Sequence, residues 1–162
     1  PTAHGFWSFA QAVPGALSRS GQPLVSEFEW LKNQGWKSVV NLRTDGERLE
    51  IGDDAKLPGF LELGLQYMHL PMRDGSPPTS QQAESFLVFV TKSENQPVHV
   101  HCRGGIGRAG TMTALYRYAV QGWPMQEAIA ESRLFEGGVS DSQKQWLLEW
   151  ASTNLPGNYG KT

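Results

Sequence analysis

The stretch Val98–Thr111 reads VHVHCRGGIGRAGT, and the interpretation of the whole sequence starts from it. Its first four residues, opened by Pro97, predict a short buried strand, and a helix is predicted to begin at Gly107. The glycines between them allow successive backbone N–H groups to point at one anion. The helix N-terminus adds the positive end of its dipole and its unpaired N–H donors. The stretch therefore predicts an anion-binding loop between a strand and a helix.

Cys102 opens this loop and Arg108 closes it, with five residues between them. The Gly-Lys-Ser/Thr sequence of nucleotide-binding loops is absent from this position. A thiol beside a guanidinium at a helix N-terminus should be strongly acidified, and a thiolate next to a bound phosphate is a nucleophile aimed at phosphorus. The planar fork of arginine can hold two phosphate oxygens in a geometry that lysine cannot reproduce. We expect the phosphate to be bound by the loop itself, namely by Arg103, Gly104, Gly105, Ile106, Gly107 and Arg108.

Strand and helix patterns alternate along the rest of the chain. Strands are predicted over residues 37–43, 66–70 and 98–101, with short edge strands at 6–9 and 16–19. Helices are predicted over residues 26–34, where Ser26 would be the N-cap, 79–93, 107–121, 125–135 and 140–152. This alternation is typical of an α/β domain with a central, mostly parallel sheet of about four to five strands flanked by helices. We expect one domain over residues 1–155 and a loose C-terminal tail over residues 156–162.

The composition narrows the classes of protein to which the chain can belong. Hydrophobic residues make up 39% of its 162 residues and charged residues 19%, which is ordinary for a globular domain with one core. The formal charge of −2 gives no indication of a nucleic-acid partner. A single cysteine excludes an internal disulfide and a cysteine-rich zinc site, and no apolar run approaches the roughly 20 residues of a membrane span. No Lys/Arg-led signal peptide is visible at the start of the sequence, and we expect a cytoplasmic location. We also expect the chain to be a monomer.

Residues 101–108, HCRGGIGR, resemble the His-Cys-x5-Arg signature of the protein tyrosine/dual-specificity phosphatase superfamily. The chain is most similar to the compact dual-specificity branch, which includes kinase-associated, Cdc14-like and regenerating-liver phosphatases. Residues 70–79, LPMRDGSPPT, resemble the general-acid loop of that branch, and residues 137–150, GGVSDSQKQWLLEW, resemble its late loop with a water-positioning glutamine. Residues 18–23, SRSGQP, and 39–47, VVNLRTDGE, are also similar to atypical members. The resemblance implies the cysteine-phosphatase fold.

The resemblance also implies a mechanism and assigns its residues. Cys102 would attack phosphorus to form a phosphocysteine, Asp74 would act as general acid and then as base, and Gln143 would orient the hydrolytic water. Backbone N–H groups and Arg108 would stabilise the charge, so that no metal or cofactor is needed. His101 would lie under the loop and order the thiolate by hydrogen bonding. The implied activity is that of a cysteine-dependent phosphatase acting on phosphomonoesters in phosphotyrosine or dual-specificity protein substrates.

One position departs from the family pattern. Members usually have Ser or Thr directly after the loop arginine, whereas this chain has Ala109. The missing hydroxyl would normally stabilise the cysteine thiolate as it leaves in the second step, and Thr111 is poorly placed to replace it. We therefore expect slow breakdown of the phosphocysteine. Arg133 stands where the branch often has a structural arginine.

Several of these residues have alternative interpretations. Asp45, in another Asp-Gly pair, is the other candidate acid, although a turn residue is the simpler interpretation of it. His99, His101 and Cys102 could belong to a zinc site, but no fourth ligand is evident. Gln143 could be a solvent-facing helix residue.

Alternatives also exist for the arginines and for the function as a whole. Arg73 and Arg103 flank the predicted mouth and could attract acidic substrates or could simply be solvated, and Arg43 fits a structural ion pair better than a substrate contact. A phosphoinositide or other small-molecule phosphatase of the same mechanism is the main alternative function. A sulfurtransferase, which also uses a cysteine in a strand–loop–helix cradle, and a non-catalytic phosphate-binding module are weaker alternatives.

Overall fold

The computed structural model describes residues 7–135 and 137–159 of the chain, and its centre is a five-stranded sheet. The strands are β1 (Ala10–Val13), β2 (Leu17–Ser20), β3 (Ser38–Asn41), β4 (Gln66–His69) and β5 (Val98–His101). Their order across the sheet is β1-β2-β5-β3-β4. Strands β2, β5, β3 and β4 run parallel, and β1 pairs antiparallel with β2 at one edge. The predicted α/β fold with a mostly parallel sheet is confirmed.

Helices and short 3-10 turns connect the strands and cover both faces of the sheet. The helices are α1 (Val25–Asn33), α2 (Ser80–Thr91), α3 (Gly107–Ala119), α4 (Met125–Ser132) and α5 (Asp141–Thr153), and the 3-10 turns span Glu47–Leu49, Asp54–Lys56, Leu61–Leu63 and Ser93–Asn95. Successive side chains of a strand point to opposite faces. Accordingly, Val40 of β3 packs in the cluster that contains Leu115 of α3, and Val39 packs in the cluster that contains Phe28 of α1. Among the described residues, no helix is long and apolar enough to cross a membrane.

The register of the parallel strands brings the ends of three of them together. His101, the last residue of β5, is paired with Ser20 of β2 and with Asn41 of β3. The segments that follow these strands therefore leave from one edge of the sheet. This is the carboxyl edge, where open α/β sheets bind their ligands.

Two predictions about the ends of elements are wrong. Helix α1 has Leu24 as its N-cap rather than Ser26, because the Glu27 carboxylate accepts a hydrogen bond from the Leu24 backbone N–H at 2.7 Å. The first edge strand is β1 and not residues 6–9, of which the first lies outside the described part of the chain. Ser8 has a φ of +52°, which interrupts an extended conformation there.

The last described residues pack on the domain. We expected residues 156–162 to form a loose tail, yet the backbone N–H groups of Gly157 and Tyr159 donate to the carbonyl oxygens of Tyr118 and Ala119, at 2.8 and 3.0 Å. Carbonyl groups in the last turn of a helix lack hydrogen-bond partners within the helix. The segment after α5 supplies hydrogen-bond donors to two such carbonyl groups of α3. The final three residues lie outside the described part, and the domain boundary at 155 stays a prediction.

Candidate active site

The loop over residues 102–108 follows β5 directly, and its backbone turns toward the sulfur of Cys102. The Gly105 N–H donates a hydrogen bond to Cys102 Sγ at 3.2 Å, and Cys102 is buried. Gly105 has a φ of +75°, in the left-handed region, and a Cβ there would lie 2.4 Å from the backbone nitrogen of Gly21. A Cβ on Gly21 would in turn lie 2.7 Å from the Arg103 carbonyl oxygen. Both glycines are therefore required by the close approach of these two segments.

The Arg108 guanidinium is held in a fixed orientation by a carboxylate that the sequence analysis missed. Its Nη1 and Nη2 donate to Oε1 and Oε2 of Glu47 at 2.7 and 2.9 Å, and Nη1 also donates to the Met72 carbonyl oxygen at 2.9 Å. Paired bonds of this kind fix the guanidinium plane. The buried Arg108 Nε has no hydrogen-bond partner within the described residues and lies 3.9 Å from Asp74 Oδ1. One donor of Arg108 is therefore not used by the protein itself.

Glu47 is ionised at neutral pH. Burial raises the pKa of its carboxyl, but the hydrogen bonds and charge of Arg108, together with bonds from Thr44, outweigh burial and lower this pKa to about 2. Arg43 Nε also donates to Glu47 Oε2 at 3.1 Å, and Arg43 Nη2 donates to Glu50 Oε1 at 2.7 Å. Arg43 thus makes the structural ion pairs that were predicted for it. Arg43 and Glu47 are four residues apart, and this spacing of opposite charges is the sequence signal from which Glu47 could have been identified.

Another buried cation, Arg19 of β2, supports the loop from the side of the sheet. Arg19 is 3% exposed, and its Nη2 lies 2.5 Å from the Gly105 carbonyl oxygen and 3.3 Å from that of Ile106. Its guanidinium carbon lies 4.1 Å from the ring centroid of Phe135, a cation–π contact. Burial lowers the pKa of Arg19 to about 10, against the opposing attraction of nearby negative groups, so the side chain is charged at neutral pH.

Arg133 was expected to be a structural arginine, whereas the arginine that bonds to the loop is Arg19. Arg133 is exposed, and its side chain makes no hydrogen bond to the 102–108 loop within the described residues. The difference follows from topology, because β2 lies beside β5 and directs Arg19 under the loop. The segment 18–23, SRSGQP, was the sequence signal for this residue, although its resemblance assigned no role to the arginine.

His101 is fully buried and contacts a second carboxylate that the sequence analysis missed. Its Nε2 lies 2.6 Å from Asp54 Oδ2, and Asp54 Oδ1 accepts a hydrogen bond from Gln22 Nε2 at 2.9 Å. Its Nδ1 lies 3.3 Å from the Cys102 carbonyl oxygen. The ring therefore lies under the loop as predicted, but it bonds to the main chain of Cys102 and not to the sulfur. No motif in the sequence pointed to Asp54.

His99 is bonded between two serines, in an arrangement that defines its tautomer. Trp36 Nε1 donates to Ser18 Oγ at 2.9 Å, and Ser18 Oγ lies 2.7 Å from His99 Nδ1, which accepts its proton when the neutral ring is protonated on Nε2. Ser20 Oγ donates to the Gly21 carbonyl oxygen and therefore accepts from His99 Nε2, also at 2.7 Å. Both ring nitrogens are engaged, and burial holds the pKa of His99 well below its ordinary value. Within residues 7–135 and 137–159, no three His, Cys, Asp or Glu side chains come together as a group that could hold a metal ion.

The loop after β4 holds Asp74 at the mouth of the site. The hydroxyls of Ser140 and Ser142, at the start of α5, both donate to the Gly75 carbonyl oxygen, at 2.7 and 2.9 Å. The Asp74 side chain is 74% exposed, next to the guanidinium of Arg108. The structure therefore brings the predicted acid beside the predicted anion-binding residue and leaves it open to solvent.

Gln143 joins the three segments around the site. It is fully buried, so the alternative of a solvent-facing residue is wrong. Its Oε1 accepts the Ser140 backbone N–H at 2.9 Å, and its Nε2 donates to the Ser76 carbonyl oxygen at 3.1 Å. A Cβ on Gly107 would lie 3.1 Å from Gln143 Oε1, so the amide touches the start of α3. Its role in positioning water stays a prediction.

The other candidate acid, Asp45, is unsuitable for that role. Its Oδ1 accepts the backbone N–H groups of Gly52 and Asp53 at 3.0 and 3.1 Å, and its Oδ2 contacts Lys56 Nζ. The hydrogen bond from Lys56, followed by those from the backbone, lowers the pKa of Asp45 to about 2. A carboxyl group with that pKa is ionised at neutral pH and has no proton to donate. The simpler interpretation, a residue that orders its own turn, is correct.

Comparison with known families agrees with this geometry. The family described as "DSP-PTPase phosphatase fused to NAD+ Kinase" matches residues 8–149 of the chain. The chain belongs to this DSP-PTPase phosphatase family. The resemblance to the dual-specificity phosphatase superfamily, found from residues 101–108, is thereby confirmed.

Individual relatives of the chain include an NAD kinase and a dual specificity protein phosphatase. The chain is 29% identical over 157 residues to probable NAD kinase 2, chloroplastic, of Oryza sativa subsp. japonica, covering 93% of this chain and 15% of that protein. It is 31% identical over 128 residues to dual specificity protein phosphatase CDC14C of Homo sapiens, covering 79% of this chain and 27% of that protein. The chain thus spans a small part of these curated relatives. The crystal structure of kinase associated phosphatase has the same fold, with a TM-score of 0.67, 22% identity, and coverage of 85% of this chain and 86% of that one.

Replacing Glu47 with glutamine should remove a pH-dependent part of the stability. Because the folded-state pKa of Glu47 is below its ordinary value, its ion pair stabilises the fold fully above about pH 5 and loses this effect as the pH falls toward about 2. We expect the difference in unfolding free energy between wild type and Glu47→Gln, measured by urea titration from pH 7 to pH 3, to shrink toward acid pH. In an Arg108→Met background the same substitution should give a difference that varies less with pH, because only Arg43 and Thr44 still bond to Glu47. The same pH profile in both backgrounds would contradict the pairing.

Proposed function

We propose that this phosphatase hydrolyses phosphomonoesters through a phosphocysteine formed on Cys102. The observation that supports the proposal is the arrangement around the 102–108 loop: Cys102 Sγ accepts the Gly105 N–H, and the unpartnered Nε of Arg108 lies 3.9 Å from Asp74. A nucleophile, a cation for the phosphoryl oxygens and a proton carrier are the groups that phosphoryl transfer to cysteine requires.

Each group has one task in the proposed reaction. The Cys102 thiolate forms a bond to phosphorus while the ester P–O bond breaks, and protonated Asp74 gives its proton to the leaving oxygen. Water then attacks phosphorus and Asp74 takes its proton. The S–P bond breaks, releasing inorganic phosphate and restoring the thiolate. Throughout, the loop N–H groups and Arg108 hold the phosphoryl oxygens.

The substrate that we propose is a phosphorylated protein. Its phosphorylated residue is a phosphotyrosine, or any of the residues that a dual-specificity phosphatase accepts. The support for it is the 31% identity with a human protein named as a dual specificity protein phosphatase. Arg73, beside Asp74, is exposed, and its guanidinium has no ion-pair partner among the described residues, so its charge is available to an acidic substrate. Arg103 instead pairs with Glu50, its Nε 3.1 Å from Oε1. We also propose a cytoplasmic location and a monomeric state, and both rest on the sequence alone.

A nucleotide phosphomonoester is a second candidate substrate. The family is described as a phosphatase fused to NAD+ kinase, and the rice relative carries that kinase's name. A kinase that acts on NAD+ makes a dinucleotide with a phosphomonoester group, which is the chemical class that the proposed site would hydrolyse. Phosphoinositides are the other small-molecule alternative, and sulfur transfer is a weaker one.

Cys102→Ser should abolish turnover while phosphate esters still bind, because a serine hydroxyl does not ionise at neutral pH and the loop donors are unchanged. We would measure phosphate release from a phosphotyrosine peptide, a phosphoserine peptide, a phosphoinositide and the phosphorylated dinucleotide product of NAD+ kinase. Calorimetry with the variant would test binding of the preferred substrate. Turnover by Cys102→Ser at the wild-type rate would refute the nucleophile assignment. Faster turnover of thiosulfate than of every phosphate ester would favour sulfur transfer.

Asp74→Asn should lower kcat by roughly 10²–10⁴ for substrates with poor leaving groups, the usual contribution of a general acid. With an activated aryl phosphate the loss should be much smaller, because a good leaving group needs no proton. Asp45→Asn is the matched control, and its kcat should stay close to that of wild type. An equal loss for alkyl and activated aryl phosphates would place the acid elsewhere.

Ala109 should make breakdown of the phosphocysteine the slow step. Ala109 is fully buried at the start of α3, and the hydroxyl of Thr111 is used on the Gly107 carbonyl oxygen, at 2.7 Å. We expect a pre-steady-state burst in quenched-flow experiments with wild type. Ala109→Ser should raise the steady-state rate about tenfold without changing the burst rate, since a hydrogen bond to a charged group contributes about 1.5–3 kcal/mol. A wild-type burst rate equal to the steady-state rate would contradict this.

A further inference from the structure

A cavity of about 390 Å³ lies between α2, α5 and the segment that follows α5, apart from the 102–108 loop. Its lining includes three aromatic side chains, Trp146, Trp150 and Tyr159, and two carboxylates, Glu84 of α2 and Glu149 of α5. None of these residues takes part in the proposed reaction. The combination of ring faces and carboxylates in one cavity is chemically distinct from the cationic phosphate site.

The three rings are neighbours. The centroids of Trp146 and Trp150 are 6.4 Å apart with ring planes inclined by 25°, and those of Trp150 and Tyr159 are 6.3 Å apart with planes inclined by 35°. The three rings adjoin one another and all line the cavity, and we call this group the aromatic wall. The face of an aromatic ring carries negative potential and attracts a cation, with indole the strongest of the side chains.

The two carboxylates supply full negative charge beside this wall. Glu84 and Glu149 are exposed, and neither has a salt-bridge partner within the described residues. The side-chain contact that the structure gives Glu149 is with the neutral amide of Gln145, at 3.2 Å. Burial, and then the charge of Glu84, raise the pKa of Tyr159, which agrees with Glu84 facing that ring.

The cavity also lies close to the catalytic machinery. Trp146 follows Gln143 by three residues on α5, which is about 4.5 Å along a helix axis. Gln143 in turn touches Gly107 and bonds to the loop that carries Asp74. The first turns of α5 therefore connect the cavity with the segments that carry Gly107 and Asp74.

We propose that this cavity binds a basic side chain, the guanidinium of arginine or the ammonium of lysine, of the phosphorylated protein substrate. The aromatic wall contacts the face of the cation, and Glu84 and Glu149 neutralise its charge. The assignment to the substrate rests on the proposed phosphatase function, whereas the cation site itself does not. Anionic ligands are disfavoured because both carboxylates would repel them.

The cation site can be tested without any phosphatase assay. The probe is N-acetyl-arginine amide, titrated against the full chain while the indole N–H signals of Trp146 and Trp150 are followed by NMR. We expect a saturable shift, and about tenfold weaker binding of the neutral isostere N-acetyl-citrulline amide. Glu84→Gln/Glu149→Gln should weaken arginine binding about tenfold, and Glu29→Gln, an exposed carboxylate of α1, should leave it unchanged.

Two outcomes would overturn the cation site. Equal binding of the arginine and citrulline probes would show that charge is not recognised. Unchanged binding by the double variant would show that the two carboxylates are not involved.

The role of the site in substrate choice has its own readout. The substrates are pairs of phosphotyrosine peptides that differ only in having arginine or glutamine at one flanking position, and this position is varied along the peptide. At one of the positions, wild type should have a kcat/KM about five- to tenfold higher for the arginine peptide, because its KM is lower. Glu84→Gln/Glu149→Gln should remove this preference and leave turnover of a small aryl phosphate unchanged. Equal losses on the aryl phosphate and on both peptides would overturn the proposal. No turnover of any phosphate ester by wild type would sink the proposed function, while probe binding would still stand.

Discussion

The close approach of two backbone segments, at Gly21 after β2 and at Gly105 in the 102–108 loop, is the constraint on which the site depends. A Cβ at either position would lie 2.7 Å or less from a backbone atom of the other segment. This contact decides which side of the loop faces the sheet. The carbonyl groups of Gly105 and Ile106 then face Arg19, and the Gly105 N–H faces the sulfur of Cys102. The capacity of the loop to hold an anion follows from this orientation.

The site concentrates positive charge that the surrounding protein neutralises only in part. Arg19 has no salt-bridge partner within the described residues and keeps its Nε unbonded, and Arg108 is paired with Glu47 while its own Nε has no partner. Arg19 instead contacts two loop carbonyl oxygens and the Phe135 ring, none of which carries a full negative charge to balance its own. Arg19 therefore makes sense as part of a site for an anion rather than as part of the core. A doubly charged phosphate ester is the kind of ligand that would balance these charges.

The fold could be predicted where its signals are local. Each of the five helices and four of the five strands were anticipated near their observed positions, because hydrophobic spacing and helix breakers act within a few residues. The errors lie where a distant or reversed contact decides the outcome. Glu27 reaches back to Leu24 and moves the helix cap away from Ser26. The segment after residue 155 was expected to be loose because its composition does not show that the carbonyl groups of Tyr118 and Ala119 accept its backbone N–H groups.

The sequence by itself determined the strand, the loop, the helix start and the two residues Cys102 and Arg108, because all of them lie in one contiguous segment whose glycines set the backbone. Only the tertiary structure decided which side chains support that loop. Arg19, Glu47 and Asp54 are separated from it by about fifty to eighty residues, and arginines and carboxylates of this kind are ordinarily solvated. The parallel register of β2, β3 and β5 ends these strands at one edge and brings the three side chains under one loop. That register is a property of strand pairing, which no single segment of the sequence carries.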